Sequence, residues 1–206
     1  MTKGYYEIRK VWRTVKGDAN TVAFLVAFFC YNAGVQAVLF LASIFADKEL
    51  HFNAQNLIFL ILILQIVAIG GAWASAKLSG IKGNKFSIMV MLVIWTAICI
   101  TGYFVQTGLD FYLLAAGVGI VMGGIQSLSR ATYAKLLPEN TPDTASYFSF
   151  YDVMDKVSTV AGTFVFGFVE NITGGMRNSV AAMGVFFVVS LIVLTFVKIR
   201  RMRTNH

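Results

Sequence analysis

Five stretches of this chain, residues 21–46, 54–76, 86–109, 111–129 and 178–197, run without a single charged side chain. Each is close to the ~20 apolar residues that a helix needs to cross the hydrocarbon of a bilayer. Lipid offers no partner to a bare peptide group, so such segments satisfy their own backbone as helices. They show none of the apolar/polar alternation that a membrane β-barrel requires. With 57% hydrophobic and only 13% charged residues in 206, a soluble fold is excluded as well. A sixth span is expected over 147–169, uncharged from Val157 on but carrying Asp152, Asp155 and Lys156 in its first half. Without it, Ser129 and Asn178 would stand on opposite sides of the membrane with nothing to connect them. The expected fold is an all-α membrane protein of six transmembrane helices.

The net charge of +7 is laid out by side of the membrane and not as a nucleic-acid footprint. With the N-terminus inside, Lys3, Arg9, Lys10, Arg13, Lys16, Lys77, Lys82, Lys85, Arg130, Lys135, Lys156, Lys198, Arg200, Arg201 and Arg203 all fall on the inner side, leaving only Lys48 and Arg177 outside. This is the positive-inside pattern, and it puts both termini in the cytoplasm. The first 20 residues are basic and polar and lack the short apolar core of a cleavable signal. Cys30 and Cys99 fall within spans, which suits buried apolar roles better than a disulfide. His51 and His206 cannot make a metal site between them. No metal and no cofactor are expected.

Residues 1–18 read as an amphipathic linker on the cytoplasmic surface: Ile8, Val11, Trp12 and Val15 share one helical face, while Arg9, Lys10, Arg13 and Lys16 point elsewhere. Residues 19–200 make the transmembrane bundle, and 201–206 a basic cytoplasmic tail. The outer connections around 47–55 and 106–110 are short, as are the inner ones at 77–85 and near Pro138 and Pro142. In the fourth span, Gly119 and Gly123 have the four-residue spacing that lets helix backbones approach closely. Gly34-Val35-Gln36 in the first span echoes Gly124-Ile125-Gln126 in the fourth, at similar depth but in opposite direction, as in inverted three-helix repeats.

Polar groups at membrane depth are costly and default to a pathway or a binding role. The candidates are Asn32, Gln36, Gln65, Gln126, Ser127, Ser129, Arg130, Tyr151, Asp152, Asp155 and Lys156. Gln126 and Arg130 lie one turn apart and share a face. Arg130 either snorkels to the interface or pairs with Asp152 or Asp155. Asp152 and Lys156, at i and i+4, can instead satisfy one another. Two acids against two bases describe a neutral, breakable network suited to gating. A desolvated carboxylate among them is a candidate for proton coupling. Asn32, Gln36 and Gln65 suit hydrogen bonds to a solute or between helices. No catalytic constellation is visible, so an enzyme is not expected.

The segments FLVAFFCYNAGVQ, QIVAIGGAWASAKLSGIKGNK, GGIQSLSRATYAKLLPEN and YFSFYDVMDKVSTVAGTFVFG resemble the C-terminal six helices of the vacuole-effluxer-like (autophagy-related) branch of the major facilitator superfamily. That resemblance implies one half of a major facilitator fold, built of two inverted three-helix repeats, in a transporter whose solute path runs between two six-helix bundles. It also implies, by analogy with the fungal members, export of amino acids from a compartment. The chain departs from the pattern at Gly80, where the superfamily's signature loop often carries an acid. It also corresponds to one half only, so it is expected to be a fragment of a longer transporter or a half-size protein.

The expected function is half of a secondary active transporter moving a small solute by alternating access. Its partners would be the bilayer, the solute, and the missing N-terminal half or a second copy in a dimer, with no nucleic acid. The expected location is a bacterial inner membrane. The competing reading is a non-transporting membrane scaffold, in which the same polar groups only knit helices together.

Overall fold

The computed structural model describes residue 9, residues 11–137 and residues 144–198. Ile8, Lys10, Pro138, Pro142 and the basic tail 201–206 lie outside the described residues. Six long helices account for almost all of it: α1 (Ala19–Leu50), α2 (Ala54–Lys82), α3 (Asn84–Phe104), α4 (Gly108–Leu136), α5 (Thr144–Thr173) and α6 (Met176–Phe196). Five of them are long and apolar enough to cross a membrane. The remaining one, α5, matches them in length at 30 residues but carries Asp152, Asp155 and Lys156 in its first half.

Two expected loops are helix instead. α1 runs on to Leu50 and α2 to Lys82, leaving residues 51–53 and Gly83 alone as connectors. The physical reason is local capping. His51 takes a left-handed conformation that ends α1, and the Asn53 side chain accepts the amide of Asn56 to start α2. Gly83, at φ 90°, turns the chain within one residue, a conformation that side chains rarely adopt. At 32 residues and about 1.5 Å per residue, α1 outreaches the ~30 Å hydrocarbon, so its ends project beyond it. At its start, the Asp18 carboxylate accepts from the Asn20 and Thr21 amides and from the Thr21 hydroxyl.

The segment ahead of α1 does not keep its apolar face for lipid. Residues 11–15 are helical, Val11 and Val15 are buried in the common core, and Trp12 stacks on Phe150 of α5 at 5.9 Å. Arg9, Arg13 and Lys16 remain exposed, as the amphipathic pattern requires.

Packing follows the repeat. α2 lies along α4 and α1 along α5; α3 lies along α6; α3 also meets α4, α1 meets α6, and α2–α3, α5–α6 and α1–α4 touch. Exchanging α1 with α4, α2 with α5 and α3 with α6 leaves this set of pairs unchanged. The two closest approaches obey the same exchange. A Cβ on Gly71 of α2 would collide with the Ile120 backbone of α4, and one on Gly162 of α5 with the Ala33 backbone of α1. Gly119 and Gly123 belong to the first of these seams, against Leu64 and Ala68.

The α3–α6 pair carries the symmetry to the level of single hydrogen bonds. Both helices have 21 residues, and Trp95 of one stacks on Phe187 of the other at 5.4 Å. Lys85, second residue of α3, donates to Thr195 O and Val197 O at the end of α6, both at 2.7 Å. Arg177, second residue of α6, donates to Tyr103 O at 3.4 Å and to Val105 O at the end of α3. Each helix therefore places a cation on the other's unsatisfied C-terminal carbonyls, where the helix dipole also favours positive charge. The sequence signature, Gly-x-basic-x-Ser at Gly83–Ser87 and again at Gly175–Ser179, is plain once the geometry is known. The chain beyond α6 is tied to the start of α1 by a paired contact, Asn20 to the backbone of Lys198, at 2.6 Å in each direction.

Candidate polar cleft

Near mid-height of the bundle, displaced toward the end where α1 begins, α1, α4 and α5 line a cleft of about 440 Å3. Nine of the eleven residues singled out in the sequence line it: Asn32 and Gln36 from α1, Gln126, Ser129 and Arg130 from α4, and Tyr151, Asp152, Asp155 and Lys156 from α5. Helical spacing explains the convergence, because Gln126, Ser129 and Arg130 fall at i, i+3 and i+4, as do Tyr151, Asp152 and Asp155 at i, i+1 and i+4. Two residues fall elsewhere. Ser127 is turned off that face and its hydroxyl donates to Gly123 O and Gly124 O of its own helix, at 3.0 and 3.1 Å. Gln65 sits on α2, which contributes nothing to the cleft, and is exposed on the outside of the bundle.

Charges in the cleft are paired across and along helices. Arg130 Nη2 lies 3.2 Å from Asp152 Oδ1, joining α4 to α5, with both side chains about half exposed. The Arg130 guanidinium also lies over the Phe148 ring, 5.4 Å from its centroid. Of the two partners open to Lys156, the contact formed is with its neighbour Asp155, at 3.1 Å, and not the one-turn pair with Asp152. Asp155 is the more enclosed of the two acids, because Asn32 reaches it from α1. The Asn32 amide donates to Asp155 Oδ1 at 2.8 Å and to Ser158 Oγ at 2.7 Å, and Asn32 itself is buried. Exposed ion pairs such as Arg130–Asp152 are worth only about 0–1 kcal/mol, so this one opens at little cost.

The structure adds residues that sequence reasoning missed. Tyr31 is buried and donates to Ser129 Oγ at 2.6 Å, and the Ser129 hydroxyl donates to Ile125 O, which ties α1 to α4 at the wall of the cleft. Phe28 stacks on Tyr151 at 4.3 Å, and Tyr151 on Tyr133 at 5.1 Å, making an aromatic wall. The missed signal was spacing: Phe28, Tyr31, Asn32 and Val35 fall at i, i+3, i+4 and i+7, so the face that carries Asn32 carries them too. By contrast with the paired charges, Gln36 and Gln126, the glutamines of the echoed tripeptides, have no hydrogen-bond partner among the described residues. Their carboxamides are free to meet something in the cleft.

Comparison with known proteins identifies the family. The family model for vacuole effluxer Atg22-like proteins matches residues 1–206. The uncharacterized MFS-type transporter YxiO of Bacillus subtilis is 30% identical over 174 residues, covering 84% of this chain and 40% of that protein. Autophagy-related protein 22 of Kluyveromyces lactis is 27% identical over 200 residues, covering 90% and 40%. The same-named protein of Saccharomyces cerevisiae is 26% identical over 214 residues, covering 98% and 40%. The chain thus spans about 40% of the length of the curated relatives it matches. An all-helical integral membrane protein with this match along its whole length belongs to the vacuole effluxer Atg22-like family of the major facilitator superfamily.

Proposed function

We propose that the chain is one half of a secondary active transporter and that the cleft is its share of the solute path. The observation that carries this is the convergence of Gln36, Gln126, both ion pairs and Asn32 on one cleft, with two carboxamides left unpartnered. Gln36 is half-buried and Gln126 exposed on the cleft, so both carboxamides are open to a solute and neither joins one helix to another, as a scaffold role would require. In this reading α5 is the sixth crossing, and it tolerates its charges because they face the cleft and not lipid. The basic ends of the helices then lie on the cytoplasmic side, with both termini, in a bacterial inner membrane.

The solute that suits the cleft is a small zwitterion of the amino-acid class. Its carboxylate can displace Asp152 from Arg130, its ammonium can replace Lys156 or Asn32 at Asp155, and Gln36 and Gln126 can hold what remains. Breaking Arg130–Asp152 costs little and would accompany opening and closing of the cleft. The other half of the path comes from the N-terminal half of a longer protein or from a second copy.

The test is flux of labelled neutral amino acids through proteoliposomes of the full-length protein, comparing Gln36→Ala and Gln126→Ala with the unmodified form. Both variants should melt at the unmodified temperature, since neither side chain has a partner to lose, yet lose at least tenfold in flux. Unchanged flux in both would remove the carrier reading of this cleft and leave the scaffold.

A further inference from the structure

Gln65 is the polar residue that the cleft leaves unexplained. It stands near the middle of α2, exposed, with no hydrogen-bond partner among the described residues. A carboxamide at that depth is costly against hydrocarbon. Besides the cleft, an open pocket with a wholly apolar lining lies at the other end of the bundle. We infer that Gln65 belongs to the solute path on its outer side, at the rim of this apolar pocket, as Lys156 stands at the rim of the cleft. The inference rests on the solute-carrier reading and adds a residue to it.

The exchange of α1 with α4 and of α2 with α5 holds residue by residue. On α2 the buried positions are Leu60, Gly71 and Ser75; 91 positions further on, Tyr151, Gly162 and Phe166 are buried on α5. The backbones that meet Gly71 and Gly162, those of Ile120 and Ala33, stand 87 positions apart. The same two offsets carry one contact between helices onto another. Asn32 of α1 donates to Asp155 and Ser158 of α5. A Cβ on its counterpart, Gly119 of α4, would press on Leu64 and Val67 of α2, which are the counterparts of Asp155 and Ser158. By this register Gln65 takes on α2 the place of Lys156 on α5, and both are exposed.

The register also relates the two pockets. Tyr31, Ser129, Tyr151 and Asp155 line the cleft; their counterparts Val118, Ala42, Leu60 and Leu64 line the apolar pocket. The pocket is therefore the second copy of the cleft with its polar groups replaced. The cleft's four charged residues, Arg130, Asp152, Asp155 and Lys156, become Ser43, Ile61, Leu64 and Gln65. The Ser43 hydroxyl turns back to Phe40 O at 3.5 Å, which leaves the Gln65 carboxamide to face what passes. Inverted repeats mirror one another across the membrane, so a rim that faces the inner side on α5 faces the outer side on α2. A solute at that rim meets an amide where the inner cleft offers ion pairs.

The experiment uses the full-length protein in sealed vesicles of known orientation, with its other cysteines replaced by alanine and a charged thiol reagent that does not cross the bilayer. Gln65→Cys should be labelled from the outer side and Lys156→Cys from the inner side. Ile66→Cys, turned about 100° further round α2, should react at least tenfold more slowly than Gln65→Cys. In flux assays Gln65→Leu should fall at least fivefold at an unchanged melting temperature, since the side chain has no partner to lose. If Gln65 faces lipid instead, leucine suits the position better than glutamine and flux is kept. No outer labelling at Gln65→Cys, equal labelling at Ile66→Cys, or undiminished flux in Gln65→Leu overturns the inference while Gln126→Ala still loses flux. Full flux in Gln36→Ala and Gln126→Ala, with no inner labelling at Lys156→Cys, is the different result that removes the carrier reading and this inference with it.

Discussion

Replacing Lys85 by methionine tests the reciprocal clamp between α3 and α6. Methionine keeps the apolar stem and helix propensity of lysine and removes only the ammonium. In the structure that ammonium donates to Thr195 O and Val197 O, each at 2.7 Å, and Lys85 is half-buried. Hydrogen bonds to a charged group contribute about 1.5–3 kcal/mol when well made. The charge at a helix C-terminus adds roughly 0.3–1 kcal/mol. Because water can replace part of what is lost at the exposed carbonyl of Thr195, the expected loss is about 2 kcal/mol, near the lower end of that sum. For a chain of this size that is a fall of about 4–8 °C in melting temperature. The assay is loss of the monodisperse peak in size exclusion after heating in detergent, with Lys85→Arg as the control that should hold its stability. Arg177→Met should cost a similar amount at the other end of the pair. The two clamps are about 30 Å apart, 21 residues at 1.5 Å, so the double variant should lose the sum of the two. A melting temperature for Lys85→Met within 1 °C of the unmodified chain, or equal to the effect of changing the exposed Lys82, would refute the clamp.

Further expectations follow from the packing and the charges. Gly71→Leu or Gly162→Leu forces a side chain into the backbone of Ile120 or Ala33 and should cost about 3 kcal/mol or more, read as loss of the folded peak on size exclusion. Arg130→Met and Asp152→Asn each break an exposed pair, so stability should fall by less than about 1 kcal/mol while amino-acid flux through the full-length protein falls sharply. A large loss of stability from either would mean that the pair is structural. The Thr21 hydroxyl, and to a smaller extent the Asn20 and Thr21 amides, hold the Asp18 carboxylate below its ordinary 3.8. Its folded-state value being depressed, the stabilisation is complete above 3.8 and is lost as pH falls through the lower folded value. The stability difference between the unmodified chain and Asp18→Ala, about 1 kcal/mol at neutral pH, should therefore shrink only below 3.8. A difference already shrinking at pH 5 to 6 would point to another titrating group.

Much of the site could be read before the fold was known because membrane depth penalises polar atoms without regard to context. Any amide or carboxylate in an otherwise apolar run stands out, and most of those at Asn32, Gln36 and along Gln126 to Lys156 do meet in one cleft. Gln65 met the same criterion yet lies outside the cleft, since one polar residue on a helix gives a depth but no azimuth. Only the packing of α2 against α4 decided that it faces away. Tyr31 was missed for the opposite reason: a tyrosine carries enough apolar surface to pass as core, and its hydroxyl becomes a site group only when Ser129 arrives from another helix. The pairing of charges was left open between Arg130 with Asp152 or Asp155 and Asp152 with Lys156, and the packing of α4 against α5 sets Arg130, 22 residues away along the chain, on Asp152.

What the sequence determined by itself is the set of helices and their apolar character, because each depends on hydropathy and backbone satisfaction within a single segment. It also carried both copies of the repeat, in the glycine–glutamine tripeptides and in the basic second residues of α3 and α6. Tertiary structure decided which faces meet. The clamp by Lys85 and Arg177, the contacts at Gly71 and Gly162 and the cleft are properties of two or three helices together. Their free energy depends on distances between segments far apart in the chain, and no local pattern encodes those distances.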